Sequence, residues 1–386
     1  MWYCTSSEPS PRMKMNRKSF FLSTILLLVI SFQLQATDIK QMYEVSLPVA
    51  SQDISIRKAA FEQGLIETSV RVSGTSLAPT QLNLADAGRL ISQYRYRALS
   101  DLEITAYLEK TPTLVQPKYK LWMQFNKNKL KQLLRENGLP LWGYQRPNVL
   151  IWLAVKDGRN RYLLKQADHS EIKNAMQQGA ERRGLPIIWP KYDATDQRLV
   201  EFTDVWGQFW EPVKQASKRY GVNAVLLGRM NWNKGSWQVD WSLMQEDKME
   251  NWSVNAEDLG LLTSSGIGIA TDSISSRFAV FTDSINDAGL VVRVSNLHNV
   301  KKYATTAHYL ASLAPVKNVY AKEVNKHQVD FYVDLNGDED DLRRIIALGK
   351  VLTVDTRPEP IEAINQASHN SEQNSVARIL RYNLSR

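Results

Sequence analysis

Cysteine is nearly missing from this 386-residue chain: the single one, Cys4, stands ahead of Met13 and Met15. Translation is expected to start at one of those methionines, which leaves the chain beyond them without a thiol. That excludes disulfides, thiolate metal sites and cysteine nucleophiles together. Histidine is scarce too. His169, His298, His308, His327 and His369 are the five, and no two stand at the one-turn spacing that puts paired ligands on one helix face. Each reads as a solvated or packed histidine, and no metal site is expected. The chain has no Gly-x-Ser-x-Gly elbow and no zinc-protease motif, so no catalytic set and no cofactor are expected. After Ala36 it has no long apolar run, and no further membrane span is expected there.

Two partial motifs fail on inspection. Gly266-Ile267-Gly268-Ile269-Ala270 lacks the preceding buried strand and the spacing of a dinucleotide loop. Small residues that let a helix pack closely are the expectation. Asp334, Asn336, Asp338 and Asp340 resemble the start of a calcium loop. Glu339 stands where glycine is needed and Ile345 where glutamate is needed, so acids favouring a helix N-terminus are expected instead.

What is present begins with Lys14, Arg17 and Lys18, followed by residues 20–32, in which only Ser23, Thr24 and Ser31 are polar. A basic region, a short apolar core and a small residue, Ala36, form the pattern of a secretory signal peptide, here residues 1–36. The core is short of the ~20 apolar residues of a spanning helix. Cleavage near Thr37 predicts a periplasmic protein. Leu34 is large for the third position before a cut, and the alternative is an uncleaved anchor in the inner membrane. The net charge is +8. The first 36 residues hold four basic residues and one acid, so the remainder is only mildly basic and demands no nucleic acid.

Pattern changes divide the rest into three small mixed α/β domains. The first, 37–141, opens with Tyr43, Val45, Leu47 and Val49 alternating against polar residues, a half-buried strand in which Pro48 suggests an edge. A helix over 54–72, a short helix over 84–92, a strand around 119–125 and a helix over 128–136 follow. The second, 144–284, contains a continuous apolar run, 149–155, that fits a strand covered on both faces. Helices are expected from about 172 and over 203–220, with strands at 224–230 and 237–243 joined by a turn at Asn233-Lys234-Gly235. A strand near Trp252 and a long helix from Asp258 complete it. The third, 289–355, has the order βαββαβ, a ferredoxin-like plan. Residues 357–386 lose periodicity and read as a mobile tail.

Two groups of residues are candidates for an interaction surface. Lys118, Lys120, Lys127, Lys129 and Lys131 form a basic stretch, joined by Arg95 and Arg97, which alternate with Tyr94 and Tyr96. Among eleven tryptophans, Trp210 and Trp252 are the ones expected at the surface, where an indole suits protein or glycan recognition. Trp206, Trp237 and Trp241 fall at core positions.

The chain resembles the uncharacterised bacterial family known as domain of unknown function 2066. The resemblance rests on the Tyr43–Val49 strand, Val70-Arg71-Val72-Ser73-Gly74 and Gln93-Tyr94-Arg95-Tyr96. It continues through the strand from Val149, Arg183-Gly184-Leu185-Pro186, Asp204-Val205-Trp206-Gly207 and the strand from Ala224. It implies an exported envelope protein and supplies no activity. The expected function is therefore a non-enzymatic adaptor or assembly factor whose partner is another envelope protein. An anionic envelope polymer or lipid headgroup is the other partner considered. Two alternatives remain open. One is a cell-wall hydrolase using carboxylates such as Asp193, Asp196 and Asp204. The other is a ligand sensor, which requires a tryptophan-lined hollow between the first two segments.

Overall fold

In the computed structural model, residues 41–110, 115–246, 248–280, 290–325, 327–357 and 379–385 are described. The expected signal peptide, 1–36, lies outside them. Among the described residues no helix is long and apolar enough to cross a membrane. The fold is mixed α/β, with three sheets and helices packed against them.

The first sheet joins β1 (Glu44–Val49), β2 (Ile91–Ala98) and β3 (Tyr119–Phe125) in the antiparallel order β1-β3-β2. Pro48 stands on an edge strand, where its missing N–H costs no ladder bond. One face packs Leu121, Met123 and Phe125 against Leu65 of the helix Ile54–Ser73 and Leu130 and Leu134 of the helix Lys127–Glu136. The helix expected over 84–92 is reduced to a 3-10 turn, Leu84–Asp86, and one helical turn, Ala87–Leu90. Residues 91–98, expected partly in that helix, form β2. Ser-Gln-Tyr-Arg-Tyr-Arg alternates but buries neither set fully, so period-2 hydrophobicity is weak there.

The second sheet has the order β5-β4-β7-β8-β9, with β6 (Ile187–Ile188) pairing β4 outside that path. It comprises β4 (Val149–Asp157), β5 (Asn160–Leu163), β7 (Ala224–Asn233), β8 (Ser236–Gln245) and β9 (Lys248–Ala256). The apolar run 149–155 is buried throughout, as a strand covered on both faces requires. Val149, Ile151, Leu153 and Val155 meet Met176 of the helix Glu171–Arg183 and Ile267 and Ile274 of the helix Leu259–Phe278. Leu150, Trp152 and Ala154 meet Val205, Val213 and Ala216 on the other side. Gly266 sits in the Leu259–Phe278 helix, and a Cβ there would lie 2.5 Å from Trp241 Nε1, so small size brings helix and sheet together. Lys234 and Gly235 both take positive φ, 49° and 90°, the pairing a tight β7–β8 hairpin turn needs.

One helix expected over 203–220 is instead two, Phe202–Trp206 and Trp210–Ser217, followed by a 3-10 turn. Gln208 adopts φ 55° between them and donates from Nε2 to the Asp240 carbonyl. Phe209 consequently points outward, 59% exposed.

The third sheet has the order β11-β12-β10-β14-β13. Its strands are β10 (Leu290–Ser295), β11 (Val316–Asn325), β12 (Gln328–Leu335), β13 (Leu352–Val354) and β14 (Ile379–Leu384). The βαββαβ order is present, with helices Val300–Ser312 and Glu339–Leu348. Asp338 caps the second of these in a capping box with Asp341, Asp340 stands in its first turn, and Asp334 accepts from Asn318 on β11. The tail expectation fails at Ile379–Leu384. That segment lies inside the sheet between β10 and β13, parallel to the first and antiparallel to the second, with Leu380 and Tyr382 in the core. It takes the place beside β10 that the ferredoxin-like plan gives to the fourth strand and moves β13 to the edge. Residues 358–378 of the expected tail lie outside the described residues.

A buried guanidinium joins the first two parts. Arg146 donates from Nη2 to the carbonyls of Arg71 (2.7 Å) and Trp142 (2.9 Å). Its Nη1 donates to Arg183 (3.2 Å) and Gly184 (2.8 Å), and Nε to Gly143 (2.9 Å). Arg71 and Arg183 lie in the last turns of the helices Ile54–Ser73 and Glu171–Arg183, whose carbonyl ends are electron-rich. Gly184 must be glycine twice over: φ is 65°, and a Cβ would come within 2.5 Å of Arg146 Nη1. The guanidinium also lies 4.0 Å from the Trp142 ring centroid. Burial, then the neighbouring Arg71, pushes its pKa down to about 9, which still leaves it charged at neutral pH.

Arg146→Met is expected to lower unfolding stability by roughly 3–5 kcal/mol, because buried carbonyls at two helix ends lose a charged donor. Arg146→Lys should restore less than half of that, since one ammonium cannot reach five acceptors. Urea unfolding followed by tryptophan fluorescence reads both. Leu380→Ala, emptying a central position of the third sheet, is expected to cost ~2–5 kcal/mol in the same measurement.

Candidate interaction surface

The first sheet buries one face and leaves the other outside. Antiparallel register sets Arg97 and Pro48 opposite Lys120, Arg95 and Ser46 opposite Trp122, and Glu44 opposite Gln124. Alternation along β3 places Lys120, Trp122 and Gln124 on the face away from Leu121, Met123 and Phe125. Three of the four basic candidates, Arg95, Arg97 and Lys120, are therefore brought together on this outer face, and Lys118 stands just before β3.

Trp122 is the centre of the group. Its Nε1 donates to Glu44 Oε2 at 3.1 Å, and Gln124 Nε2 donates to Oε1 of the same carboxylate at 3.3 Å. The Arg95 guanidinium lies over the indole at 4.4 Å from its centroid, a cation–π distance. Glu44 fixes the edge of the ring while Arg95 covers its face. Arg97 is differently occupied: Nη2 and Nη1 donate to the two oxygens of Glu103 at 2.6 and 2.9 Å. That hydrogen bond first, and the Ser100 amide second, hold the Glu103 carboxyl at about 2. Lys118, Lys120 and Arg95 are exposed and carry no ion pair among the described residues.

The basic stretch does not form one patch. Lys127, Lys129 and Lys131 belong to the helix whose Leu130 and Leu134 pack on the inner face, so they are separated from Lys120 by the sheet itself. Burial, then Lys127, pushes the Lys131 ammonium down to about 8.

Among the described residues no strand lies along the outer edge of β2. Leu99 N–H donates to the Lys118 carbonyl at 2.9 Å, so odd-numbered residues of β2 face β3 and even-numbered ones face away. The backbone groups of Tyr94 and Tyr96 have no strand beside them among the described residues. The Ala98 carbonyl accepts from Arg97 Nη1 at 3.2 Å. The β1 edge is blunted instead: Arg71 Nη1 donates to the carbonyls of Gln41 and Glu44, both at 2.8 Å, and Pro48 has no N–H to offer. Beside β1 a hollow of about 620 Å³ is lined by Glu44, Lys120, Trp122, Tyr107, Glu181 and Arg182.

The two tryptophans expected at the surface lie elsewhere. Trp210 opens the helix Trp210–Ser217 and is half-buried against the core around Leu150 and Trp152. Trp252 lies on β9 directly opposite Trp241, half-buried against the other core of the second sheet. Both indoles fill packing positions remote in topology from the basic face. Trp122 was legible as an outward residue of an amphipathic strand, yet only pairing with β2 shows that Arg95 stacks on it. A second hollow, about 500 Å³, is lined by Lys214, Lys218, Arg277, Met244, Phe278 and Leu348 and holds none of the expected residues.

The three carboxylates considered for hydrolysis are structural. Asp193 caps the helix Ala194–Gln197 and accepts from Arg219 at 2.7 and 3.0 Å, and that bond holds its pKa well below the ordinary range. Asp196, fully buried, accepts from Tyr220 Oη (2.5 Å), the Tyr192 amide and Arg219. Asp204 completes a capping box with Glu201.

The family model that matches the chain is Domain of unknown function (DUF8605), over residues 36–143. This overturns the resemblance to domain of unknown function 2066: the motifs from Val149 onward fall outside the matched span. No curated protein and no solved structure matches the chain.

The Arg97–Glu103 pair gives a pH-dependent observable. The Glu103 pKa is depressed from 4.5, so its contribution is present above 4.5 and is lost as pH falls toward 2. Carboxyl carbon NMR should show Glu103 titrating near 2, and Arg97→Gln should return the midpoint toward 4.5. A wild-type midpoint already at 4.5 would show that the pair does not form in solution.

Proposed function

We propose that the protein is an exported, non-enzymatic envelope adaptor that receives an acidic, extended segment of another envelope protein on its first sheet. The observation that carries this is the convergence of Arg95, Lys118 and Lys120 around Trp122, next to the outer edge of β2. An added strand would take the backbone groups of Tyr94 and Tyr96 on that edge. Its side chains on the outer face would lie beside Arg95 and Arg97, so acids there are favoured and basic partners are repelled. Trp122, held by Glu44, supplies a rigid apolar surface at low entropic cost. Export is supported by the basic-then-apolar N-terminal pattern. The family match begins at residue 36, where that pattern ends.

A second reading is favoured by one observation. The hollow beside β1 lies between the first sheet and the helix Glu171–Arg183 and is lined by Trp122, as a sensor of a small polar ligand requires.

The test is affinity capture from crosslinked envelope fractions, followed by direct titration of the captured partner's acidic segment. Lys120→Glu and Arg95→Glu are each expected to weaken binding at least tenfold, about 1.4 kcal/mol, with weaker binding at higher salt. Unchanged affinity in both variants would remove the adaptor reading. A thermal shift with a small polar ligand, lost in Trp122→Ala but kept in Arg97→Gln, would favour the sensor.

A further inference from the structure

Two of the five histidines meet although 29 residues separate them. β10 and β12 are antiparallel neighbours with Ser295 opposite Gln328, so the chain leaving β10 and the turn entering β12 emerge at one end of the sheet. Asn296, at φ 70°, turns the first of these segments. Leu297 N–H donates to the His327 carbonyl at 3.1 Å and fixes the two loops together. The outcome is His298 Nδ1 and His327 Nδ1 at 3.0 Å, with ring planes inclined by 65°. Both side chains are exposed. Sequence spacing excluded a helix-face pair and said nothing of this one, since only strand pairing creates it.

We propose that His298 and His327 form a two-imidazole chelate for a divalent transition metal of tetragonal preference, Cu²⁺ or Ni²⁺. The pair is otherwise a single hydrogen bond between one protonated and one bare Nδ1. With both protons on Nε2, both Nδ1 lone pairs are available to one ion, and rotation of the two exposed rings would turn them from each other toward it. Imidazole nitrogens bind such metals at about 2.0–2.1 Å, and two of them 3.0 Å apart subtend roughly 90–95° at the ion. That angle is the cis angle of square-planar or octahedral coordination and is well short of the tetrahedral angle zinc prefers. Among the described residues no group of three or more histidine, cysteine, aspartate or glutamate side chains converges, so water completes the sphere. The backbone bond from Leu297 to His327 holds both ligands in place before the metal arrives, which reduces the ordering cost of chelation.

The experiment titrates the full chain, without a histidine tag and in a weakly coordinating buffer, with CuSO₄, NiCl₂ and ZnCl₂ separately. One equivalent of Cu²⁺ is expected, with hyperfine coupling to two nitrogens in the EPR spectrum. His298→Ala and His327→Ala should each weaken it at least about tenfold, because the chelate becomes a single ligand. His298→Asn and His327→Asn, which keep a hydrogen-bonding side chain at each turn, should show the same loss with an unchanged melting curve. His308→Ala should bind as the wild type does. Copper binding that survives both single substitutions, or no copper bound by the wild type, overturns the site. Zinc bound as tightly as copper overturns the tetragonal assignment.

Discussion

The junction between the helices Ile54–Ser73 and Glu171–Arg183, each packed on its own sheet, is built around a buried charged group. Arg146 is surrounded by carbonyl oxygens and has no carboxylate among its hydrogen-bond partners. Buried cations are ordinarily paired with acids, because desolvation is otherwise too costly. Here the compensation is the partial negative charge at two helix C-termini, brought together so that one planar fork serves both. Arg71 works in the same way toward β1 and toward Arg182. Arg183 extends the chain of contacts to Gly74, and also pairs with Asp272 of the Leu259–Phe278 helix. Three arginines with mutually repelling charges tolerate proximity because each holds its own set of acceptors. The arrangement demands glycine at 74 and 184, where the chain turns left-handed to leave each helix.

Much of this was legible from residue order. The 149–155 strand, the Asn233-Lys234-Gly235 turn, the long helix from Asp258 and the βαββαβ run depend on local periodicity and turn chemistry, which sequence displays directly. Arg71 and Arg183 each stand in the last turn of a helix closed by a glycine, but their meeting with Arg146 is a long-range event with no local signature. The strand at Ile379–Leu384 was missed because its surroundings are polar and only Ile379, Leu380, Tyr382 and Leu384 mark it. β2 was missed for the opposite reason. Its exposed tyrosines and arginines look like a binding loop, and its backbone pairs with β3 all the same.

The candidate surface divides along the same line. That Lys120 and Trp122 share a face follows from alternation within one strand. That Arg95 covers Trp122, and that Glu103 occupies Arg97, follows from register between strands. The separation of Lys120 from Lys127, Lys129 and Lys131 shows why a run of lysines is a poor guide to a patch. A strand and the helix after it can turn the same charge to opposite sides of a sheet.

Placing Ile379–Leu384 between β10 and β13 has a consequence for the order in which the protein is made. Val291 must find Ile379, so the third sheet is incomplete while the ribosome is still decoding the residues between them. Until then β10 and β13 have nothing between them, and a large part of their apolar surface lacks its neighbour. A chain that completes its last sheet only when residue 384 arrives stays unfolded there longest. Late closure of long-range pairs also carries the largest loop-entropy cost. Folding of that sheet is thereby postponed until the end of the chain has been made.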